Sequence, residues 1–134
     1  MPISKNPSRN LSWSELAASD GTPYPPAWRA RAIILAREFE AIRSACGDVP
    51  ITISSAYRTA ATNEAAGGAS KSQHLFGRAL DLLPPAGMEY EEFYQKCLTV
   101  ARDRGIIKGI GRNVKNGHVH IDTRLSDILV LWDE

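Results

Sequence analysis

The chain holds three histidines, His74, His118 and His120, and all of them lie in two short segments that also carry aspartate. The first segment reads Ser72-Gln73-His74-Leu75-Phe76-Gly77-Arg78-Ala79-Leu80-Asp81, and the second reads His118-Val119-His120-Ile121-Asp122. Imidazole nitrogen and carboxylate oxygen are the donors that zinc accepts, and two histidines with one carboxylate leave a fourth tetrahedral position for water. That composition belongs to a catalytic zinc site rather than a structural one. Asp81 stands among Leu80, Leu82 and Leu83. A strand there would bury its carboxylate, at a high cost unless a cation or several hydrogen bonds compensate. The glycine-containing loop between His74 and Asp81 could bring the ring back toward the carboxylate.

Successive side chains on a strand alternate faces, so in the second segment His118, His120 and Asp122 share one face while Val119 and Ile121 share the other. Two imidazoles and a carboxylate on one face of an otherwise apolar strand are not explained by packing.

The elements that must position these groups follow from periodicity. A short helix starts near residue 12, with Ser12 as cap and Glu15 three residues later. A Gly- and Pro-containing loop covers 20–26. Trp28, Ala32, Leu35, Phe39, Ile42 and Cys46 recur at steps of four and three, which predicts a helix over 27–45 with one apolar face and Gly47 as its stop. Residues 50–55 are β-branched and follow Pro50, so a strand is expected. A short helix is expected over 59–66, broken at Gly67-Gly68, then a strand over 79–83 closed by Pro84-Pro85. A second amphipathic helix is expected over 90–104, with Phe93, Cys97, Val100 and Ala101 inward and Gly105 at its end. Two more strands are read at 106–110 and 117–122. The expectation is a compact α+β domain, a small antiparallel sheet of about four strands packed with helices. One domain should span 1–134, with 1–10 flexible.

The charges nearly balance: 16 Lys and Arg against 15 Asp and Glu. They are mixed along the chain, which argues against a nucleic-acid partner. No stretch approaches the ~18 apolar residues of a membrane helix, and 1–10 contains no apolar run of a secretory signal. The expectations are a protein cytoplasmic as made, no membrane partner and a monomer. Cys46 and Cys97 read as two small buried apolar residues, with a disulfide as the alternative.

Ser72-x-His74-x-x-Gly77-x-Ala79-x-Asp81 followed by His120 resembles the zinc D-Ala-D-Ala carboxypeptidase and peptidoglycan endopeptidase family, which shares its fold with hedgehog signalling domains. Ser54-Ser55-Ala56-Tyr57-Arg58-Thr59, Asn63 and Gly67-Gly68 resemble the segment before the first zinc motif in bacterial and phage members. Glu40-Ala41-Ile42-Arg43 resembles the end of their preceding helix, and His120-Ile121-Asp122-Thr123-Arg124 their closing motif. The resemblance covers about 11–124.

Carried over, the resemblance implies one Zn2+ per chain, held by His74, Asp81 and His120. It implies that Arg58 faces the site and either binds a substrate carboxylate or polarises the scissile carbonyl. Ser72 either orients the site by a hydrogen bond and contacts substrate, or is a plain loop hydroxyl. Relatives carry a carboxylate base three residues before the last histidine ligand, where this chain has Gly117. Either His118 takes over proton transfer, or a carboxylate from elsewhere does, or catalysis is weak. Asp122 is the nearest carboxylate on the same face, as base or as orienter of a histidine. The function implied is a zinc peptidase acting on peptidoglycan stem peptides, as carboxypeptidase, endopeptidase or phage lysis enzyme that reaches the wall after release. The rival is a non-catalytic, zinc-stabilised module that binds cell wall or protein.

Overall fold

The structure, a computed structural model, describes residues 6–134. The expected flexibility of the N-terminus therefore lies outside the described residues for 1–5. Ser8 and Asn10 are fixed. Ser8 Oγ donates to Glu40 Oε2 at 2.6 Å, Asn10 N–H to the same oxygen at 2.7 Å, and Asn10 Nδ2 to Glu40 Oε1 at 2.8 Å.

Helix α1, Trp13–Leu16, starts with the expected capping box between Ser12 and Glu15, a device worth about 1 kcal/mol. A 3₁₀ turn, Pro26–Trp28, leads into α2, Arg29–Ala45. Its inward face is the expected one: Ala32, Leu35, Phe39 and Ile42 are buried, each larger side chain contributing roughly 1.5–3 kcal/mol. The same helix buries Glu38, which no periodicity argument would place inside. Arg104 at the end of α4, Tyr90–Arg104, donates to both of its oxygens at 2.8 and 2.9 Å. This bidentate pair ties the two main helices together. Phe93, Cys97, Val100 and Ala101 of α4 are buried as expected, and Gly105 ends the helix at φ 69°.

The strands are β1 (Ile53–Ser55), β2 (Ala79–Leu82), β3 (Gly109–Asn113), β4 (His118–Asp122) and β5 (Val130–Asp133). Among the described residues they form one sheet in the order β1-β2-β4-β3-β5. The α+β class is as expected, but the sheet has five strands rather than about four. Its last pair, β3 with β5, is parallel, unlike the other neighbours. The expected strand at 106–110 lies three residues further on. Ile107 is buried in the core ahead of β3, and the ladder instead runs through Gly109 and Gly111, residues with poor strand propensity. Short helix α3 is Ala60–Ala65, capped by Thr59.

Cys46 and Cys97 are both free and buried, so they are core residues and not a disulfide. Burial pushes the Cys97 thiol up, which keeps it protonated and inert. No helix among the described residues is long and apolar enough to cross a membrane.

Candidate metal centre

The centre is built on the register of the two innermost strands. Asp81 of β2 pairs directly with His120 of β4. His74 arrives from a 3₁₀ turn, Gln73–Phe76, within the expected glycine-containing loop. Ser72 caps this turn, its hydroxyl accepting from His74 N–H at 3.3 Å. Gly77 closes it at φ 68°. A side chain there would also strike Tyr24, since a Cβ would stand 2.7 Å from its hydroxyl. Tyr24 in turn donates to the Gly77 carbonyl at 2.7 Å. The loop is thus folded back onto β2, and the His74 ring returns to Asp81.

Each ring has one nitrogen engaged and one aimed inward. His74 Nδ1 lies 2.6 Å from the Ala56 carbonyl, which can only accept. Its proton is therefore on Nδ1, and Nε2 faces Asp81 Oδ1 at 3.1 Å. His120 Nε2 lies 2.7 Å from Asp122 Oδ2, and its Nδ1 faces the same Asp81 oxygen at 3.2 Å. Asp122 is completely buried and gripped by Arg124, whose Nε and Nη2 donate at 2.9 and 2.7 Å and whose backbone N–H donates at 3.1 Å. Gly109 makes room for it, because a Cβ there would overlap the carboxylate. Asp122 thus holds the His120 ring through Nε2.

These residues fit a divalent metal of the zinc type. His74, Asp81 and His120 each offer one donor atom, all within 4.8 Å of one another. Donors about 2.0–2.1 Å from a tetrahedral zinc stand roughly 3.3 Å apart, close to the 3.1 and 3.2 Å between the Asp81 oxygen and the two ring nitrogens. The far nitrogens are held by a carbonyl and a carboxylate, the usual support for a metal-ligating histidine.

The charges follow from the same contacts. Burial alone would raise the Asp81 pKa, but the His120 and His74 rings facing it outweigh burial and hold the carboxyl below the usual range. Burial likewise opposes ionisation of Asp122, yet Arg124 and His120 bring it to about 2. Burial disfavours a charge on His120, while Asp122 and Asp81 raise it to about 9.

Arg58 faces the centre, as expected. Its Nη2 donates to Asp81 Oδ2 at 3.3 Å, Nε to Ser55 Oγ at 3.0 Å and Nη1 to Asn63 Oδ1 at 3.2 Å. Asn63 is itself buried and donates to the Ala69 carbonyl at 2.9 Å. A side chain on Gly68 would overlap Asn63, which explains why the helix break must be glycine there. His118 stands at the edge, with Nε2 3.5 Å from Asp81 Oδ2. Gly117 has φ 79° and donates its N–H to the Asn113 and Val114 carbonyls in the β3–β4 turn.

Two residues of this site escaped the sequence reading. The Trp132 ring packs against His120, with centroids 5.1 Å apart. Glu134 Oε1 lies 3.3 Å from His118 Nε2 and accepts from Asn113 Nδ2 at 3.1 Å. The hydrogen bond with His118 holds Glu134 below the usual carboxylate range. Val130, Trp132 and Glu134 alternate with Leu131 and Asp133, and this period of two was the available signal. Arg58, Ser72, His118, Trp132 and Glu134 open with the donor triad onto one cleft of about 1120 Å³.

A profile of the peptidase M15 family matches residues 9–122. Over 114 residues the chain is 34% identical to the zinc D-Ala-D-Ala carboxypeptidase of Streptomyces albus G. The match covers 84% of this chain and spans 41% of that relative's length. The extent of both matches, laid over the donor triad and its supports, shows that the chain belongs to the peptidase M15 family.

Proposed function

We propose that this chain is a zinc-dependent peptidase that hydrolyses peptide bonds of peptidoglycan stem peptides, with one zinc held by His74, Asp81 and His120. The observation that carries the reading is the triad whose outer nitrogens are locked by Ala56 and Asp122 while its inner donors converge. The activity for which the Streptomyces relative is named supports the substrate class. Bound zinc supplies Lewis-acid polarisation of a carbonyl and acidifies water.

The chain's own groups divide the remaining work. Three N–H groups of Arg58 are engaged out of the five that arginine carries. The remaining donors can take a terminal carboxylate of the substrate or the oxygen that gains charge as the carbonyl is attacked. His118 has a ring that lines the cleft, and an imidazole can both accept and donate a proton. It carries a proton to the departing amine. Ser72 contributes by fixing the His74 backbone and lines the substrate side of the cleft.

The wider setting belongs to the same proposal: a monomer, acting on cell wall after release, in lysis or wall degradation. Gly117 favours a second reading, a zinc-stabilised module that grips wall peptide without cutting it. Purified protein, zinc-loaded or treated with chelator, is incubated with isolated cell wall and with a peptide ending in D-Ala-D-Ala. New amino groups released only by the zinc-loaded protein are expected. Zinc-dependent binding without any released amine would replace the peptidase with the binding module.

A further inference from the structure

Hydrolysis of an amide needs an acceptor for the proton of the attacking water. The two ring nitrogens and the one carboxylate oxygen of the donor triad would be committed to a bound metal. The other Asp81 oxygen is held by Arg58. Asp122 is saturated by Arg124 and His120 and completely buried. Glu15, which also lines the cleft, is tied into the α1 capping box. One cleft carboxylate remains.

We propose that Glu134 is the general base of this site, the carboxylate that replaces the one missing at Gly117; this rests on the peptidase reading above. Its Oε1 is anchored by Asn113 and His118, and its Oε2 lies 4.0 Å from His120 Nδ1. That gap is too long for a direct hydrogen bond and suits one water held between the carboxylate and the donor cluster. The position is fixed by the fold. Glu134 N–H donates to the Arg112 carbonyl at 2.7 Å, which extends the parallel β3–β5 ladder by one residue. Trp132, two residues earlier, is seated between His120 and Arg124, where Gly111 has no side chain to oppose it. The family match ends at Asp122, twelve residues before this carboxylate, so the base is supplied from a strand outside the matched span.

In the step itself, one O–H bond of water breaks as its oxygen bonds to the scissile carbonyl carbon, and the proton goes to the Glu134 carboxylate. The C–N bond then breaks. The departing nitrogen takes a proton from His118, which regains one from Glu134 across the 3.3 Å contact. One water is consumed, and one carboxyl and one amine are formed.

The test compares wild type, Glu134→Gln, Glu134→Asp, His118→Ala, the His118→Ala/Glu134→Gln double variant and, as a reference for ligand loss, Asp81→Asn. Each is assayed on isolated cell wall, with zinc content and affinity measured separately. Glu134→Gln should keep one zinc per chain and nearly the same KM, while kcat falls about 10²- to 10⁴-fold; Glu134→Asp should fall less. In the His118→Ala background the Gln substitution should still cost at least about tenfold. A loss that disappears there would make Glu134 a positioning residue for His118 and overturn the base. A zinc affinity weakened as much in Glu134→Gln as in Asp81→Asn would make it a ligand and equally overturn it. An active Glu134→Gln beside an active wild type removes the base and leaves the peptidase standing. An inactive wild type removes both.

Discussion

The inner and outer walls of the cleft are built differently. The side chains of His74, Asp81 and His120 are 2, 3 and 6% exposed, whereas those of Arg58, His118 and Glu134 are 15, 13 and 29% exposed. Two of the inner donors come from adjacent central strands in direct register, and the third from a turn locked by Tyr24. The outer groups come from a loop, the start of a strand and the end of an edge strand. Inner groups placed by core packing cannot move without disturbing the core. Outer groups, set at a loop and at strand ends, can change without that disturbance. Under the proposed function, the inner wall fixes which ion binds, and the outer wall fixes what reacts and how fast.

The sharpest way to break this division is to remove one residue from each wall. His74→Ala or His120→Ala should abolish zinc binding, read by elemental analysis, and reduce turnover below detection. His118→Ala should retain about one zinc per chain, because its ring lies outside the donor triad. If His118→Ala loses zinc as completely as His120→Ala, the walls are not separate. Arg58→Ala comes next on the outer side. With zinc retained, kcat/KM should fall roughly 10²- to 10³-fold, the scale of losing one donor to developing charge. Arg58→Lys should recover little of it, since an ammonium cannot reproduce a fork that already spans Ser55, Asn63 and Asp81.

The two walls also differed in how well the sequence revealed them. His74, Asp81 and His120 could be read because a carboxylate among leucines and imidazoles alternating with aliphatics contradict ordinary burial. The helices over 29–45 and 90–104 were legible from their 3.6-residue period. Glu134 was not, because its strand is four residues long, half-exposed and joined in parallel to a distant partner. Such pairing leaves no local turn signature. The strand it joins was misplaced as well, since its glycines serve Asp122 and Trp132 rather than strand propensity. The buried Glu38 was hidden because its partner, Arg104, lies 66 positions away.

Support behind the inner wall should give intermediate effects. Asp122→Asn keeps the shape but weakens the charge that holds His120 Nε2–H, and zinc should bind about 10- to 100-fold more weakly. A competition titration against a chelator of known affinity measures this directly. A fall below about threefold would make Asp122 a packing residue only.

Proton balance probes the same contact at smaller amplitude. In protein stripped of metal, His120 is raised from its ordinary 6.5 to about 9. This raised value contributes stability that is complete below about pH 6.5 and is lost as the pH climbs through 9. Zinc must displace that proton. At about pH 7, calorimetry in buffers of different ionisation enthalpy should therefore show about one proton released per zinc from His120. Over the window from 6.5 to 9, zinc affinity should rise while the stability of metal-free protein falls. Affinity that is flat over this window would mean that His120 is already neutral when zinc arrives.

The smallest effect should come from disturbing the outer wall without touching a reacting group. A Cβ at Gly111 would stand 2.8 Å from the Trp132 ring, closer than side chains tolerate. Gly111 itself has ordinary backbone geometry, since it is absent from the positive-φ residues, so alanine fits the strand. Only the ring must yield. It lies on an edge strand, which can shift outward more easily than the β2–β4 pair behind it. Gly111→Ala should therefore leave zinc content unchanged while moving Trp132, and Glu134 with it, by a few tenths of an ångström. A misplacement of about 1 Å can cost 10²-fold in rate, so a displacement this small should cost less, on the order of tenfold in kcat. The thermal midpoint should drop a few degrees, the usual return for about 1 kcal/mol of overpacking in a domain of this size. Measuring kcat, zinc content and midpoint on one preparation decides it. Loss of zinc in step with rate would show that strain passes through the Trp132–His120 contact into the inner wall, and the two walls would then form a single mechanical unit.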